Sequence, residues 1–124
     1  MDTRAAGPAW VAEVLDFWFG ELGPQKWFAR DTAVDASIRE RFDALHERLL
    51  TTQAREVELE GARATQAAVL VLDQFSRNIH RGSPLAFAAD HKALTLAKMA
   101  VARGDHLRFP APLAMWFIMP FEHA

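Results

Sequence analysis

Apolar residues recur along this chain at steps of three and four, and that spacing predicts helices from end to end. Val11, Val14, Leu15 and Trp18 make the first such stripe, opened by Gly7-Pro8. Proline suits a first-turn position because the N–H it lacks would have no partner there. Gly20 and then Gly23-Pro24 are expected to stop this helix. Gln25 to Arg30 reads as a short connector whose Trp27 and Phe28 tuck back onto the core. Asp31 is a natural N-cap for a second helix, in which Val34, Ile38, Phe42, Leu45 and Leu49 form a regular apolar stripe. Arg39, Glu40, Asp43, Glu47 and Arg48 fall on its remaining surface.

Between Gln53 and Gly61 the pattern changes to alternation, Glu56-Val57-Glu58-Leu59-Glu60. No partner strand is available, so this stretch reads as a loop or a frayed helix end. The third helix runs from about Arg63 to Ile79, and Ala67 to Leu72 is apolar on every side. A helix apolar all round is buried all round, which makes this the central element. Ser83-Pro84 supplies a cap and a first helical residue for a fourth helix through Ala86, Phe87, Asp90, Leu94, Ala97 and Val101 to Gly104. Pro110 and Pro112 lead into a last helix from Leu113 to about Glu122, which Pro120 should kink or end early. The expectation is a single all-α domain over residues 1–124. It is a five-helix antiparallel bundle or a short right-handed α-α superhelix. No repeat of fixed period is present, and the tetratricopeptide consensus is absent.

Directly after its all-apolar turn the central helix carries Leu72-Asp73-Gln74-Phe75-Ser76-Arg77-Asn78. Asp73 and Arg77 are four apart with the acid first, the favoured order, and Arg81 prolongs their strip. Gln74 and Asn78 form a neighbouring strip. An unpaired buried charge costs several kcal/mol, and an unpartnered buried amide about 1–3 kcal/mol. These side chains therefore need partners. Asp90, His91, Glu122, His123 and the indole N–H groups of Trp18 and Trp27 are candidates. Two readings stand open. In one, the cluster is an internal network that fixes helix docking, with Arg77 clamping a helix C-terminus or a carboxylate such as Glu122. In the other, Arg77, Asn78, His80 and Arg81 face a small anionic ligand, helped by the free N–H groups of a helix starting at Ser83.

Composition narrows the function classes. The 124 residues are 51% apolar and 24% charged, ordinary values for a globular domain. A net charge of −2 offers no footprint for nucleic acid or an anionic membrane. No cysteine is present, so thiolate nucleophiles, disulfides and cysteine–zinc sites are excluded within this sequence, and a reducing cytoplasm suits it. The first eight residues hold no apolar signal core, and Leu113–Met119 is too short an apolar run to cross a bilayer. There is no H-E-x-x-H, no phosphate-binding glycine loop and no dinucleotide fingerprint, so no cofactor or metal is expected. A mixed metal site of Glu122-His123 with Asp73 or Asp90 would need convergence of distant segments. Ser76 lacks nucleophile-elbow glycines. Phe17-Trp18-Phe19 with Trp27-Phe28 reads as core rather than as a base-stacking platform. The apolar terminal helix needs cover on all sides, which predicts a homodimer through segment 113–121.

Four blocks together resemble one family. They are Asp16-Phe17-Trp18-Phe19-Gly20, Leu72-Asp73-Gln74-Phe75-Ser76-Arg77-Asn78-Ile79-His80-Arg81-Gly82, Ala86-Phe87-Ala88-Ala89-Asp90 and Pro120-Phe121-Glu122-His123. In this order they resemble the domain of unknown function 924 family, mostly bacterial proteins. The resemblance spans essentially the whole chain. It implies a tetratricopeptide-like α-α superhelix and brings no established reaction. Its hallmark positions correspond to Trp18, Asp73, Gln74, Arg77, Asn78, Arg81, Asp90, Glu122 and His123. Members usually continue past the Pro-Phe-Glu-His block into further helices, whereas here Ala124 is last. This chain reads as a shortened member or a fragment lacking those C-terminal helices.

Sequence alone thus names no reaction, and whether the chain is an enzyme stays open. It predicts an uncharacterised helical interaction or scaffold module with a polar cluster. The alternative is a small anionic-ligand binder or enzyme using Arg77, Asn78 and Glu122 or His123. A protein or a small anion would be the partner.

Overall fold

The most apolar stretch of the chain becomes its axis. In the computed structural model, which describes residues 7–124, every residue from Ala64 to Ser76 is buried. This central helix is α4 (Ala62–Val69), a π-helical segment (Leu70–Phe75) and α5 (Ser76–Ile79) in direct succession. The described residues form helices and turns without a strand, as the spacing predicts. Residues 1–6 of the opening stretch, read as holding no signal core, lie outside the described residues. Among the described residues no helix is long and apolar enough to cross a membrane.

α1 (Ala9–Leu15) runs on into a second π-helical segment, Asp16–Leu22. Gly20 does not stop it; Gly23 does, with its N–H bonded to Trp18 O at 3.1 Å. Trp27 returns to the core as expected, stacking on Trp18 (6.1 Å, 6°) and donating its indole N–H to Trp18 O (2.9 Å). Phe28 stacks on Trp116 yet stays 66% exposed.

α2 (Thr32–Thr51) begins at the expected cap, where Asp31 accepts from the N–H groups of Ala33 and Val34. It packs along the Leu70–Phe75 π segment and α5. Lys92 closes its other end by donating to the carbonyls of Leu49, Leu50 and Thr52. A cation suits that negative helix end.

The stretch 53–61, which reads as a loop or a frayed helix end, holds a short separate helix, α3 (Ala54–Leu59). Val57 is buried, and Arg103 donates to the Glu58 carbonyl at 2.8 Å. Tertiary contacts thus fix a turn whose own pattern is ambiguous. Gly61 has φ of 105°, which an L side chain resists, and this separates α3 from α4.

The expected fourth helix is interrupted. Ser83 caps only a 3₁₀ turn, Pro84–Phe87, and α6 (Asp90–Arg103) starts at Asp90. Gly104 ends α6 in the left-handed region, as predicted (φ 78°, ψ 20°). A second 3₁₀ turn, Asp105–Arg108, leads to α7 (Ala111–Glu122). Pro120 does not end α7 early. Only two helical residues follow it, so little is left for the missing N–H to disrupt. Trp116, Phe117 and Pro120 bury one face of α7, while Ile118 and Phe121 remain 37% and 38% exposed. α6 lies against α4, and α7 against both. The five expected helices, with α3 added, enclose one continuous core.

Candidate functional site

The polar cluster sits where the central helix changes its winding. Ser76 N–H bonds back to Val71 O, five residues away, which marks the π turn. Ser76 Oγ donates to Leu72 O at 2.7 Å, and Arg77 Nη1 donates to Asp73 O. Side chains thus satisfy carbonyls that the irregular turn presents.

Two networks grow from this point. Asp73 is 1% exposed, and its carboxylate is gripped from both sides. Oδ1 meets Nδ1 of His123 at 2.8 Å, and Oδ2 accepts from Gln74 Nε2 at 2.8 Å. Arg77 lies 3.7 Å from Asp73 Oδ1, but its fork is spent on Asp90, at 2.9 and 3.0 Å. Phe87 lies against the Arg77 guanidinium, 5.1 Å from ring centre. This network ties the central helix to the start of α6 and the end of α7.

The second network centres on Asp35, in the first turn of α2. Asp35 accepts from Arg81 Nε (2.6 Å), Arg81 Nη2 (2.9 Å) and Asn78 Nδ2 (2.9 Å). Burial alone would raise the pKa of Asp35. Hydrogen bonds from Arg81 and Asn78, with the charges of Arg81 and Arg39, outweigh it and hold the carboxyl below its ordinary range. The same contact with Asp35 raises the pKa of Arg81 against its own desolvation. Arg39 donates to the Ile79 carbonyl, closing the end of α5.

The sequence-predicted residues therefore divide. Asp73, Gln74, Arg77, Asp90 and His123 come together, and Asn78 joins Arg81 on Asp35. Glu122 does not take part. It is exposed on the last turn of α7, and Asp90 holds Arg77 in its place. Trp18 also stands apart. It is 1% exposed within the aromatic core, edge-on to Trp116 at 5.0 Å, and its Nε1 has no hydrogen-bond partner. His80 packs against His46 (5.8 Å) rather than beside Arg77. The helix start at Ser83 that the anion-binding reading drew on is only a four-residue 3₁₀ turn. Among the described residues, no group of three or more histidine, aspartate or glutamate side chains converges to hold a metal.

Sequence reasoning missed Asp35 and His46, both buried. They complete the core face of α2 as Asp35, Ile38, Phe42, His46 and Leu49, at steps of three, four, four and three. That periodicity was available, but only to a reading that admits polar residues to an apolar stripe. His46 Nε2 lies 2.5 Å from Ser76 Oγ. Ser76 spends its proton on Leu72 O, so the network assigns Nε2–H as the donor. Nδ1 is buried without a partner. Burial, then the charge of His80, lowers the His46 pKa, against smaller opposite pulls from Glu47 and Asp43. A depressed folded pKa means this contribution to stability is present above about 6.5 and lost as pH falls below it. Melting temperature is expected to drop between pH 7.5 and 5.5. The His46→Gln variant should flatten that slope, and an unchanged slope would refute the assignment.

Beside these networks the surface opens into a cavity of about 160 Å³. Gln74, Arg77, Asn78 and Arg81 line it together with Trp27, Phe28 and Ala29. A larger hollow of about 330 Å³ lies between α6 and α7, edged by Asp90, His91 and His123.

Comparison with known proteins places residues 14–124 in a match to the family described as bacterial protein of unknown function (DUF924). A solved structure of a protein of unknown function, ATU0120 from Agrobacterium tumefaciens, is similar over 99% of this chain, with 38% identity and a TM-score of 0.84. This chain spans 66% of that protein's length. No curated protein matches.

Proposed function

Because the chain belongs to the DUF924 family of bacterial proteins of unknown function, its role must be read from the site, and we propose that it is a helical binding module, tetratricopeptide-like in kind, that recognises an anionic group at the Arg77–Arg81 cavity. One observation carries this reading. Side chains that are costly to bury are neither sealed nor left to bulk water, but line an open cavity with an aromatic wall. Arg77 and Arg81 side chains are 22% and 30% exposed, while the carboxylates that hold them are not among the lining residues. A purely structural network would close over these groups. Fixed donors lining an open cavity are what a binding site needs, so binding is the function proposed. The absence of cysteine suits a cytoplasmic setting.

Thermal shift against small carboxylates and phosphates tests the proposal. A ligand at about 100 times its Kd adds roughly 2.7 kcal/mol of stability, or about 10 °C for a domain of this size. Asn78→Ala removes one donor while Arg81 keeps Asp35 paired. This variant is expected to stay folded and lose the shift, as is Arg77→Ala if it folds. A folded Asn78→Ala with an undiminished shift would overturn the proposal.

We also infer a homodimer through the outer face of α7, where Ile118 and Phe121 are left partly uncovered. Light scattering at tens of micromolar should give a dimer that Phe121→Asp converts to a monomer. A monomeric wild type at that concentration would sink the idea.

A further inference from the structure

The binding reading leaves open which anion fits, and the geometry of the cavity narrows it. Resting on that reading, we infer that the cavity takes a monocarboxylate carried on a flat apolar stem, of benzoate type, in preference to a phosphate.

Size sets the first limit. At about 160 Å³ the cavity has room for a carboxylate and part of one ring, and its open side would leave the rest of a larger molecule in solvent. Charge sets the second. Three arginines (Arg39, Arg77 and Arg81) stand with three aspartates (Asp35, Asp73 and Asp90), so the formal charges of the surrounding networks cancel. A site of that balance suits one added negative charge better than two.

None of the three aspartates lines this cavity: Asp35 and Asp73 are buried, and Asp90 edges the neighbouring hollow between α6 and α7. Asp90 holds Arg77 through both ends of its fork, and Asp35 holds Arg81 through Nε and Nη2. Both guanidiniums are thereby fixed before a ligand arrives, and binding need not freeze them. Arg81 Nη1 and Arg77 Nε carry donors that neither aspartate uses. A planar guanidinium offers the geometry a carboxylate needs. Gln74 and Asn78 add amide groups alongside: an aspartate takes one N–H of each, and each amide nitrogen carries a second N–H as a further donor.

The aromatic lining decides the stem. Trp27 is locked in place by its stack on Trp18 and its bond to Trp18 O. Phe28 stacks on Trp116 while remaining 66% exposed. A cavity lined by both fixed aromatic rings and fixed polar groups suits a molecule with one polar end and one flat apolar face. Phosphate would leave the aromatic wall wet and bring the second charge.

Isothermal titration with benzoate, cyclohexanecarboxylate and inorganic phosphate tests this. Wild type should bind benzoate with a Kd of about 1 mM or tighter, cyclohexanecarboxylate several-fold more weakly, and phosphate not measurably. Phe28→Ala should stay folded and weaken benzoate about tenfold, while Arg81→Gln should abolish binding. Leu107→Ala, on the exposed 3₁₀ turn after α6, should bind as wild type does. Phosphate binding that depends on Arg81, without benzoate binding, overturns this inference and leaves the anion-binding module standing. Absence of binding by all three probes to a folded protein overturns both. Benzoate binding unaltered in Phe28→Ala and Arg81→Gln places the ligand elsewhere and overturns the inference as well.

Discussion

Phe75→Ala should destabilise the protein by about 3–5 kcal/mol, the cost of emptying a large site in a close-packed core. Phe75 is fully buried on the π segment, among Phe42 (4.9 Å), Trp18 (5.8 Å) and Phe17 (6.0 Å). Those rings come from α1's extension and α2, so the residue joins three elements at one point. They are themselves wedged against other aromatics, and the site has little freedom to collapse. A domain of this length has roughly 6–19 kcal/mol of stability in total, so the loss is a large fraction of it. Urea unfolding should show a lower midpoint with an unchanged m-value, the mark of a cavity rather than a changed unfolded state. A cost under about 1 kcal/mol would mean that the aromatic cluster is not packed as described. The exposed Phe28 is the contrast, since surface substitutions usually stay within about 0.5 kcal/mol. The same residue type thus separates stability from binding. Phe75 carries the first, and Phe28 is proposed to carry the second.

Much of this architecture was legible because the helices obey simple periodicity. The stripe from Val34 to Leu49, the all-apolar run before Asp73, the Asp31 cap and the Gly104 stop each have a local physical cause. What local causes could not reveal was decided by distant partners. α3 forms where the alternating pattern pointed to none, held by Arg103 from the far end of α6. Ser83-Pro84 looks like a helix start and is one only for a single 3₁₀ turn. The π segments carry no sequence signature of their own, since propensity does not distinguish a residue bonded at i−4 from one bonded at i−5. That irregularity matters for the site. Asp73, Gln74, Arg77 and Asn78 were read as two strips on one regular helix. In the fold they separate into an Asp73–Arg77–Asp90–His123 network and an Asp35–Asn78–Arg81 network. Asp35 was invisible as a partner because it stands next to Val34, the residue that defined the stripe. Asp90 and Glu122 both stand as candidate partners in the sequence, and only the fold brings one of them, Asp90, to Arg77.

Asp73→Ala and Asp73→Asn should part company, and the difference tells what the buried carboxylate is for. In the alanine variant Gln74 Nε2 and His123 Nδ1 both lose their acceptor, in a place where the aspartate itself is 1% exposed. The orphaned donor of buried Gln74 costs about 1–3 kcal/mol, while the half-buried His123 can turn to water, so a loss of roughly 2–3 kcal/mol is expected. Arg77 softens the blow, since its bidentate bond to Asp90 and its bond to the Asp73 backbone carbonyl survive the change. Without that second carboxylate the removal would approach the 3–5 kcal/mol typical of a broken buried pair. Asparagine keeps the shape and one acceptor for His123, and Gln74 can turn its amide to present an oxygen to the new NH₂ group. Its expected cost is about 1 kcal/mol. Calorimetric melting of the two variants measures the gap directly. A wide gap assigns Asp73 the role of hydrogen-bond acceptor that pins the end of α7 to the central helix. Equal losses would assign the role to its charge, with Arg77 at 3.7 Å as the group that depends on it. The test bears on the cavity too. Gln74 forms part of its wall and is held there by Asp73 Oδ2. An alanine at 73 should therefore weaken binding of a carboxylate that never touches residue 73, while leaving the Asp35–Asn78–Arg81 network in place.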